Sequence, residues 1–373
     1  MKILLFDNSS LNIMDCDFSC EPKTGIFATE LNGFGHEVTM FGQIVEADNT
    51  VLTYKLKEKG IRIAALKRRK NKIINYILLY LRTIPEIIKS DFIYIFYPNA
   101  FKYTAILCIL FRKKYGLYIR CENNLEDYFS KKIYKKAFII FTVSNFFTQM
   151  VNKISNRYVA HTIRPMIPYT DKDILWDRDY KEKEDYNILF LGRVAFDKGI
   201  EELLNAIKFL KEKNYKFHLT IVGNGEFMQR SYDLVDKLYI KEIVSFEGAV
   251  FDFKLIKDYY SQSDIYILPT YHEGFPRTLY EAMIFGTPII TTFVGGIPSV
   301  MKDGFNCKRI EPKSIESIVD GLEYAFSNYT EMIELARNGR NTVAKIVDSK
   351  RLTHVECLNQ IINEINNNNS IQL

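Results

Sequence analysis

The stretch Ile265-Tyr266-Ile267-Leu268-Pro269-Thr270-Tyr271-His272-Glu273-Gly274-Phe275-Pro276-Arg277-Thr278-Leu279-Tyr280-Glu281-Ala282, followed by Gly286, Pro288 and Ile289-Ile290, decides the fold. A strand-length apolar run is broken by Pro269. A loop follows, then a helix, then a second apolar run. Pro276 suits the first helical turn, because it lacks an N–H and has its φ preset. Strand, loop, helix, strand is the unit of a parallel sheet. Two carboxylates stand in it, Glu273 in the loop and Glu281 inside the helix. The helix start aims unpaired N–H groups and partial positive charge at the loop, which suits an anion. Amides suit phosphate, and a carboxylate suits hydroxyls through charge-assisted hydrogen bonds. A ligand with both is a nucleotide sugar. Taken alone, such a pair is more simply a helix-capping glutamate and a solvated one.

The same alternation extends outward in both directions. Residues 3–6, 37–41, 92–96, 118–120 and 139–143 read as strands of a first sheet. Residues 188–191, 218–222, 244–247, 265–268 and 288–292 read as strands of a second. Helical patterns lie between, for example at 201–211 and 314–326. At 373 residues the chain is too long for one typical core. The expectation is an α/β protein of two doubly wound Rossmann-like domains. The boundaries are an N-terminal domain at 1–165, a linker at 166–185, a C-terminal domain at 186–350, and at 351–373 a helix returning to the first domain with a frayed, Asn-rich tail. Ligands of doubly wound sheets bind at the carboxyl ends of strands.

Three more loops fall at such ends. Leu191-Gly192-Arg193 runs on to Lys198-Gly199-Ile200, and two cations before a helix can reach a diphosphate. The bland alternative is a loop with two solvated cations. Val222-Gly223-Asn224-Gly225-Glu226 permits close backbone approach, although the third glycine of a dinucleotide fingerprint is missing. Phe293-Val294-Gly295-Gly296-Ile297-Pro298 offers amides to a phosphate or makes a tight turn. In the first half, Gly25 follows the first strand, and His36 reads as a turn histidine. Asp15/Asp17, Asp171/Asp173 and Asp177/Asp179 have the spacing of a metal–diphosphate clamp. They sit in loops without supporting ligands and read as solvated, so no metal site is expected.

Charge is uneven along the chain. Residues 1–165 carry 25 Lys+Arg and 14 Asp+Glu, a net of +11; the remainder carries 25 and 31, a net of −6. Lys67-Arg68-Arg69-Lys70 with Lys72, Arg112-Lys113-Lys114, and Lys131-Lys132 with Lys135-Lys136 each adjoin Ile, Tyr or Phe residues. That pattern suits docking on an anionic membrane surface, with solvated helix faces as the alternative. No nucleic-acid reader motif is present, so no nucleic acid is expected. No signal peptide is legible, and the longest apolar stretches fall short of the roughly 18 residues of a membrane span. The six cysteines show no zinc spacing. The expected location is cytoplasmic, peripheral on the inner face of the plasma membrane.

Together these residues resemble the family 4 glycosyltransferases of the GT-B fold. The likeness is carried by Gly192-Arg193, Lys198-Gly199, Val222-Gly223-Asn224-Gly225, Gly248, Glu273 with Glu281-Ala282-Met283, Gly286, Pro288 and Val294-Gly295-Gly296-Ile297-Pro298. The resemblance implies two Rossmann-like domains facing each other across a cleft. It also implies a retaining, metal-independent transfer from a UDP- or GDP-linked sugar to a saccharide acceptor in polysaccharide or glycoconjugate synthesis. By resemblance, Arg193 and Lys198 bind the diphosphate, Glu281 the ribose, and Glu273 with Gly274, Phe275 and Pro276 the sugar and leaving phosphate. Gly192 and Gly223 flank the donor, and the loop after Gly248 faces the nucleobase. Many relatives carry a cleft histidine where this chain has Ile119-Arg120-Cys121-Glu122. Gly25, Arg120 and Glu122 are therefore the acceptor-side candidates. No cofactor is implied beyond the donor. An epimerase of the same fold and a non-catalytic carbohydrate-binding subunit are the alternatives.

Overall fold

The computed structural model describes residues 1–370 other than 8–9, 15–16, 46–51, 99–100, 121–124 and 182. The chain divides into two compact units, Met1–Met166 with Leu352–Leu373, and Ile167–Arg351.

The first unit is built on a parallel sheet of β1 (Lys2–Phe6), β2 (Glu37–Ile44), β3 (Arg62–Lys67), β4 (Phe92–Tyr97), β5 (Lys114–Ile119), β6 (Ile139–Thr142) and β7 (Ala160–Thr162). Its order is β7-β6-β5-β4-β1-β2-β3. Strand β4 reads Phe-Ile-Tyr-Ile-Phe-Tyr and is buried throughout, as expected where helices cover both faces of a sheet. Leu4, Phe6, Ile93 and Ile95 face one core, while Ile3, Leu5, Phe92 and Tyr94 face the other, which is the period-two alternation of strands. Helix α1 (Pro22–Gly33) and the C-terminal helix His354–Ser370 close the second of these cores. Val355, Leu358, Ile362 and Ile365 recur on one helical stripe and are all buried. Helix α2 (Lys72–Lys89) packs on the other face through Leu79 and Ile87.

His36 is not simply a turn residue. It is buried, with Nε2 2.8 Å from Asn359 Oδ1 on the C-terminal helix.

The second unit is also parallel: β8 (Asp185–Leu191), β9 (Lys216–Val222), β10 (Val244–Gly248), β11 (Ile265–Leu268), β12 (Ile289–Thr292) and β13 (Lys308–Ile310). The order is β10-β9-β8-β11-β12-β13, so the chain reverses direction across the sheet between β8 and β11. Strand β8 pairs with β9 as far as Leu191↔Val222, but with β11 only at Ile188↔Ile265 and Leu189↔Tyr266. The two central strands part at their carboxyl ends, which opens a crevice at the topological switch point.

Both expected sheets are present. Within these two sheets three further strands, β3, β7 and β13, were not anticipated, nor was a small separate sheet of Asn12–Met14, Asp17–Cys20 and Tyr54–Lys55. The first three are edge strands, and β3 and β13 carry Arg62, Lys67, Lys308 and Arg309, which break the apolar signal. The stretch 166–185, expected as an exposed linker, has many exposed charged side chains but is anchored to the second unit. The Arg178 guanidinium donates to the carbonyls of Tyr260 (3.0 Å), Phe285 (2.9 Å) and Ser263. These carbonyls end α4 (Phe253–Gln262) and α5 (Arg277–Ile284). A cation there satisfies groups with no intrahelical partner and complements two helix dipoles.

His354 is fully enclosed by aromatic rings, with centroids 4.4 Å from Tyr118 and 4.7 Å from Phe27. The Tyr94 hydroxyl lies 2.6 Å from Nε2. Burial, and secondarily the Arg120 charge, lower its pKa to about 3. The folded chain therefore keeps His354 neutral while the unfolded chain protonates it below its ordinary value of 6.5. Stability should fall as pH drops from 6.5 toward 3, with a slope of up to about 1.4 kcal/mol per pH unit from this one proton. His354→Phe should flatten that slope in denaturant titrations across the window; an unchanged slope would show that His354 is not the group responsible.

Candidate functional site

The carboxyl ends of β8, β9, β11 and β12 bring most of the expected residues to one edge of the second sheet. Loop 192–199 follows β8, 223–227 follows β9, 269–276 follows β11, and 293–296 follows β12. Glycines set how closely these loops pack. A Cβ on Gly223, at φ +148°, would come within 1.8 Å of the Gly192 carbonyl oxygen. One on Gly199, at φ +70°, would come within 2.2 Å of the Pro269 carbonyl oxygen. The close approaches these glycines allow are thus between neighbouring loops. The Val194 N–H donates to Asn224 O and the Phe227 N–H to Val194 O, both at 3.0 Å.

The loops on the two sides of the switch point are tied together at Asp197. Its carbonyl accepts from the Tyr271 N–H (2.8 Å) and the Thr270 hydroxyl (3.2 Å). Above this tie, Lys198 Nζ donates to Glu273 Oε1. Their side chains are only 13% and 17% exposed, so removing either one leaves a poorly solvated charge without its main partner. Arg193 differs. It pairs with Asp197 at 3.0 Å and Glu226 at 3.3 Å but is 56% exposed, so these pairs hold it weakly and its guanidinium is accessible to a ligand. The site therefore holds a half-enclosed cation, an accessible cation and a carboxylate within one crevice.

Helix α5 begins at Arg277, with Pro276 as its capping residue rather than in its first turn. No side chain caps this end, so its first amides face the loop that bears Glu273. The Gly296 N–H donates to the Glu273 carbonyl at 3.3 Å and braces the loop from the β12 side. Gly274, Phe275 and Pro276 are buried, and the Phe275 and Tyr280 rings meet at a tilt with centroids 4.3 Å apart. Glu281 is buried rather than solvated, and the Tyr260 hydroxyl lies 3.2 Å from its Oε2. Burial, then the Glu281 carboxylate, push the Tyr260 phenol well above its ordinary pKa.

Asp197, Tyr260 and Arg178 were not singled out from sequence. Asp197 was within reach of inspection, four residues after Arg193 and beside Lys198. Tyr260 and Arg178 lie on a distant helix and a charged strap, with no local signal.

The acceptor-side candidates belong to the first unit. Gly25 lies inside α1, where an added Cβ would come 2.2 Å from the Tyr54 ring, so this glycine is required by packing. Arg120 follows β5, lies 3.5 Å from the buried Asp7 carboxylate and covers the Phe96 ring at 5.0 Å. Glu122 lies outside the described residues, as does Asp15 of the first Asp-x-Asp pair. Asp17 accepts from the Lys57 and Glu58 amides. Asp171 accepts from the Ser349 amide, and Asp173 caps Thr170. Among the described residues no three His, Cys, Asp or Glu side chains gather as a metal-binding group.

The family model described as glycosyl transferases group 1 matches residues 173–342, which contain the whole crevice. The likeness to this family therefore lies in the second unit. An uncharacterised glycosyltransferase of Methanocaldococcus jannaschii is 31% identical over 163 residues, 43% of this chain and 41% of that protein. A capsular polysaccharide biosynthesis glycosyltransferase of Staphylococcus aureus is 27% identical over 163 residues, 43% of this chain and 42% of that protein. The chain spans about four tenths of the length of these curated relatives. The crystal structure of Anabaena HepE in complex with UDP and glucose superposes with a TM-score of 0.68, covering 98% of this chain and 99% of that one. At 15% identity this likeness concerns the fold. Both parallel-sheet units are those of the GT-B glycosyltransferase fold.

The loop packing of the second unit yields a test. Gly223→Ala must displace the Gly192 backbone and should cost about 2 kcal/mol or more of stability. Gly192→Ala should cost well under that, because its nearest neighbour would be the Phe190 ring at 3.8 Å. Equal losses in thermal unfolding would refute the packing account.

Proposed function

We propose that the chain is a retaining glycosyltransferase. It moves a sugar from a UDP- or GDP-linked donor to a lipid-linked saccharide acceptor in bacterial surface polysaccharide or glycoconjugate synthesis, at the cytoplasmic face of the membrane. The observation that carries this reading is the Lys198–Glu273 pair at the switch point, with Arg193 beside it. The group 1 match over the crevice supports the donor half. The likeness to a capsular polysaccharide glycosyltransferase supports the acceptor class.

Breaking the bond from the sugar's anomeric carbon to the diphosphate leaves negative charge on the nucleoside diphosphate. On this reading Lys198, Arg193 and the amides of α5 receive it, and protein cations do the work of a metal. Such preorganised donors are each worth roughly 3–4 kcal/mol on a barrier. Glu273, released from Lys198 as the diphosphate takes that lysine, accepts hydrogen bonds from sugar hydroxyls. Glu281, fixed against Tyr260, takes the ribose. Gly192, Gly223 and Gly274 to Pro276 form the walls. Arg120, with Asp7 behind it, and Gly25 and Glu122 belong to the acceptor side.

A nucleoside diphosphate should raise the melting temperature in the presence of chelator, by about 2.7 kcal/mol of stability at 100 times Kd. Strict dependence of that shift on Mg²⁺ or Mn²⁺ would defeat the metal-free reading. Free nucleoside diphosphate should accumulate from the donor only when a saccharide acceptor is present.

Arg193→Ala should lower turnover by roughly 10²–10³-fold with little change in stability. Lys198→Met should lower turnover as much and also lower stability, because it strands Glu273. Glu273→Gln should impair transfer more than nucleoside diphosphate binding, and Glu281→Ala should impair that binding itself. Calorimetry and steady-state rates separate these outcomes, and wild-type rates in both cation variants would remove the phosphate-clamp assignment.

A further inference from the structure

Helix α2 packs inward through Leu79 and Ile87 yet also carries an apolar stripe on its outward face. Beside Leu79 and Ile87, its inward face carries Asn75, Thr83 and Glu86, all buried. Its outward face carries Ile73, Ile77, Leu81 and Ile88, with Ile73 73% exposed and Leu81 59% exposed. Those four positions fall within one stripe at helical spacing. Each inward polar residue has a partner within the unit. Asn75 Oδ1 accepts from the Arg69 N–H at 3.0 Å, the Thr83 hydroxyl donates to Tyr80 O at 2.7 Å, and Glu86 is held by Arg62 at 2.7 Å and Arg82 at 3.2 Å. The polar residues thus serve the fold, and the outward apolar ones serve nothing within the unit.

Charge identifies what covers this face. Lys67, Arg68, Arg69, Lys70 and Lys72 are all exposed and lead directly into the helix N-terminus. Cations there oppose the helix dipole, so they do not stabilise the helix. Glu86 is the only acidic residue of α2, and it is already paired inward. The apolar stripe continues into a run of aromatic rings: Tyr80 meets Tyr103 at 6.1 Å, and Tyr103 meets Phe129 at 5.5 Å. Tyrosines favour the boundary between lipid and water. Among the described residues no helix is long and apolar enough to cross a membrane. An apolar stripe beside a cationic cluster and aromatic rings is the constellation of a helix lying in the plane of a bilayer.

We propose that α2 is an interfacial helix. Its Ile73, Ile77, Leu81 and Ile88 face inserts among the acyl chains of an anionic bilayer, and the 67–72 cluster binds lipid phosphates. At 18 residues it lies along about 27 Å of membrane surface. The inference rests on the membrane part of the proposed function and is independent of the donor site.

The test is co-sedimentation of the full chain with vesicles of mixed phosphatidylglycerol and phosphatidylcholine, and with vesicles of phosphatidylcholine alone. Binding should be at least tenfold stronger to the anionic vesicles and weaken in 1 M salt. The triple variant Ile73→Gln, Ile77→Gln, Leu81→Gln should lose at least tenfold in binding with no loss of melting temperature, since all three side chains are exposed. Lys67→Gln with Arg68→Gln and Lys70→Gln should lose the preference for anionic lipid. UDP and GDP binding, measured on the same samples, should be unchanged in every variant, so failure here leaves the transferase reading intact. Equally negligible binding to both vesicles at low salt would overturn the proposal. So would a wild-type dimer in sedimentation velocity that the triple variant dissolves, which would make a second copy the occupant.

Discussion

The divergence of β8 from β11 is the constraint on which the second unit's chemistry depends. Two parallel strands that share only two residue pairs leave their carboxyl ends free to carry loops to opposite sides. Everything at the site follows from that gap. Gly199 and Gly223 let the loops on either side pack backbone to backbone. Asp197 closes the base of the gap with two hydrogen bonds, and Lys198 and Glu273 sit just above it. Arg178 holds the ends of α4 and α5 from below, which fixes the helix that bears Glu281. A shift of any of these supports would move the charged pair.

How much of this was legible depended on whether a signal was local. Central strands such as Phe92–Tyr97 and Ile265–Leu268 are buried on both faces and read as unbroken apolar runs, so the two sheets were plain from sequence. Edge strands β3 and β13 carry charged residues at their ends or starts, so they look like loops. The loop glycines were visible, but their immediate reason was not. Sequence suggested approach to a ligand, whereas the atoms each glycine admits belong to the neighbouring loop, or at Gly25 to the Tyr54 ring. Arg178 was invisible because charged residues around it, such as Asp177, Asp179 and Lys181, are exposed, and only the fold reveals which cation turns inward. The cationic cluster at 67–72 was legible as charge, yet the exposed apolar stripe of α2 behind it was not. Apolar periodicity marks a stripe without saying which way that stripe faces.

On the proposed reading, the Lys198–Glu273 pair has a thermodynamic role in the free protein as well as in catalysis. Each group is more than four-fifths covered, so neither would sit comfortably as a bare charge. Paired, they hold a cation and a carboxylate in place before any ligand arrives. A nucleotide sugar offers both a better partner at once, its diphosphate to the lysine and its hydroxyls to the glutamate. A nucleoside diphosphate alone satisfies only the lysine and leaves the carboxylate poorly solvated. The donor should therefore gain more from the crevice than its product does. The charge that grows on the departing diphosphate strengthens the lysine contact further as the bond breaks. Interactions that strengthen in this way accelerate the chemical step rather than merely tightening binding. The split between β8 and β11 thus supplies what transfer requires, two opposite charges held ready in a water-poor crevice and separable only by a ligand that carries the complement of each.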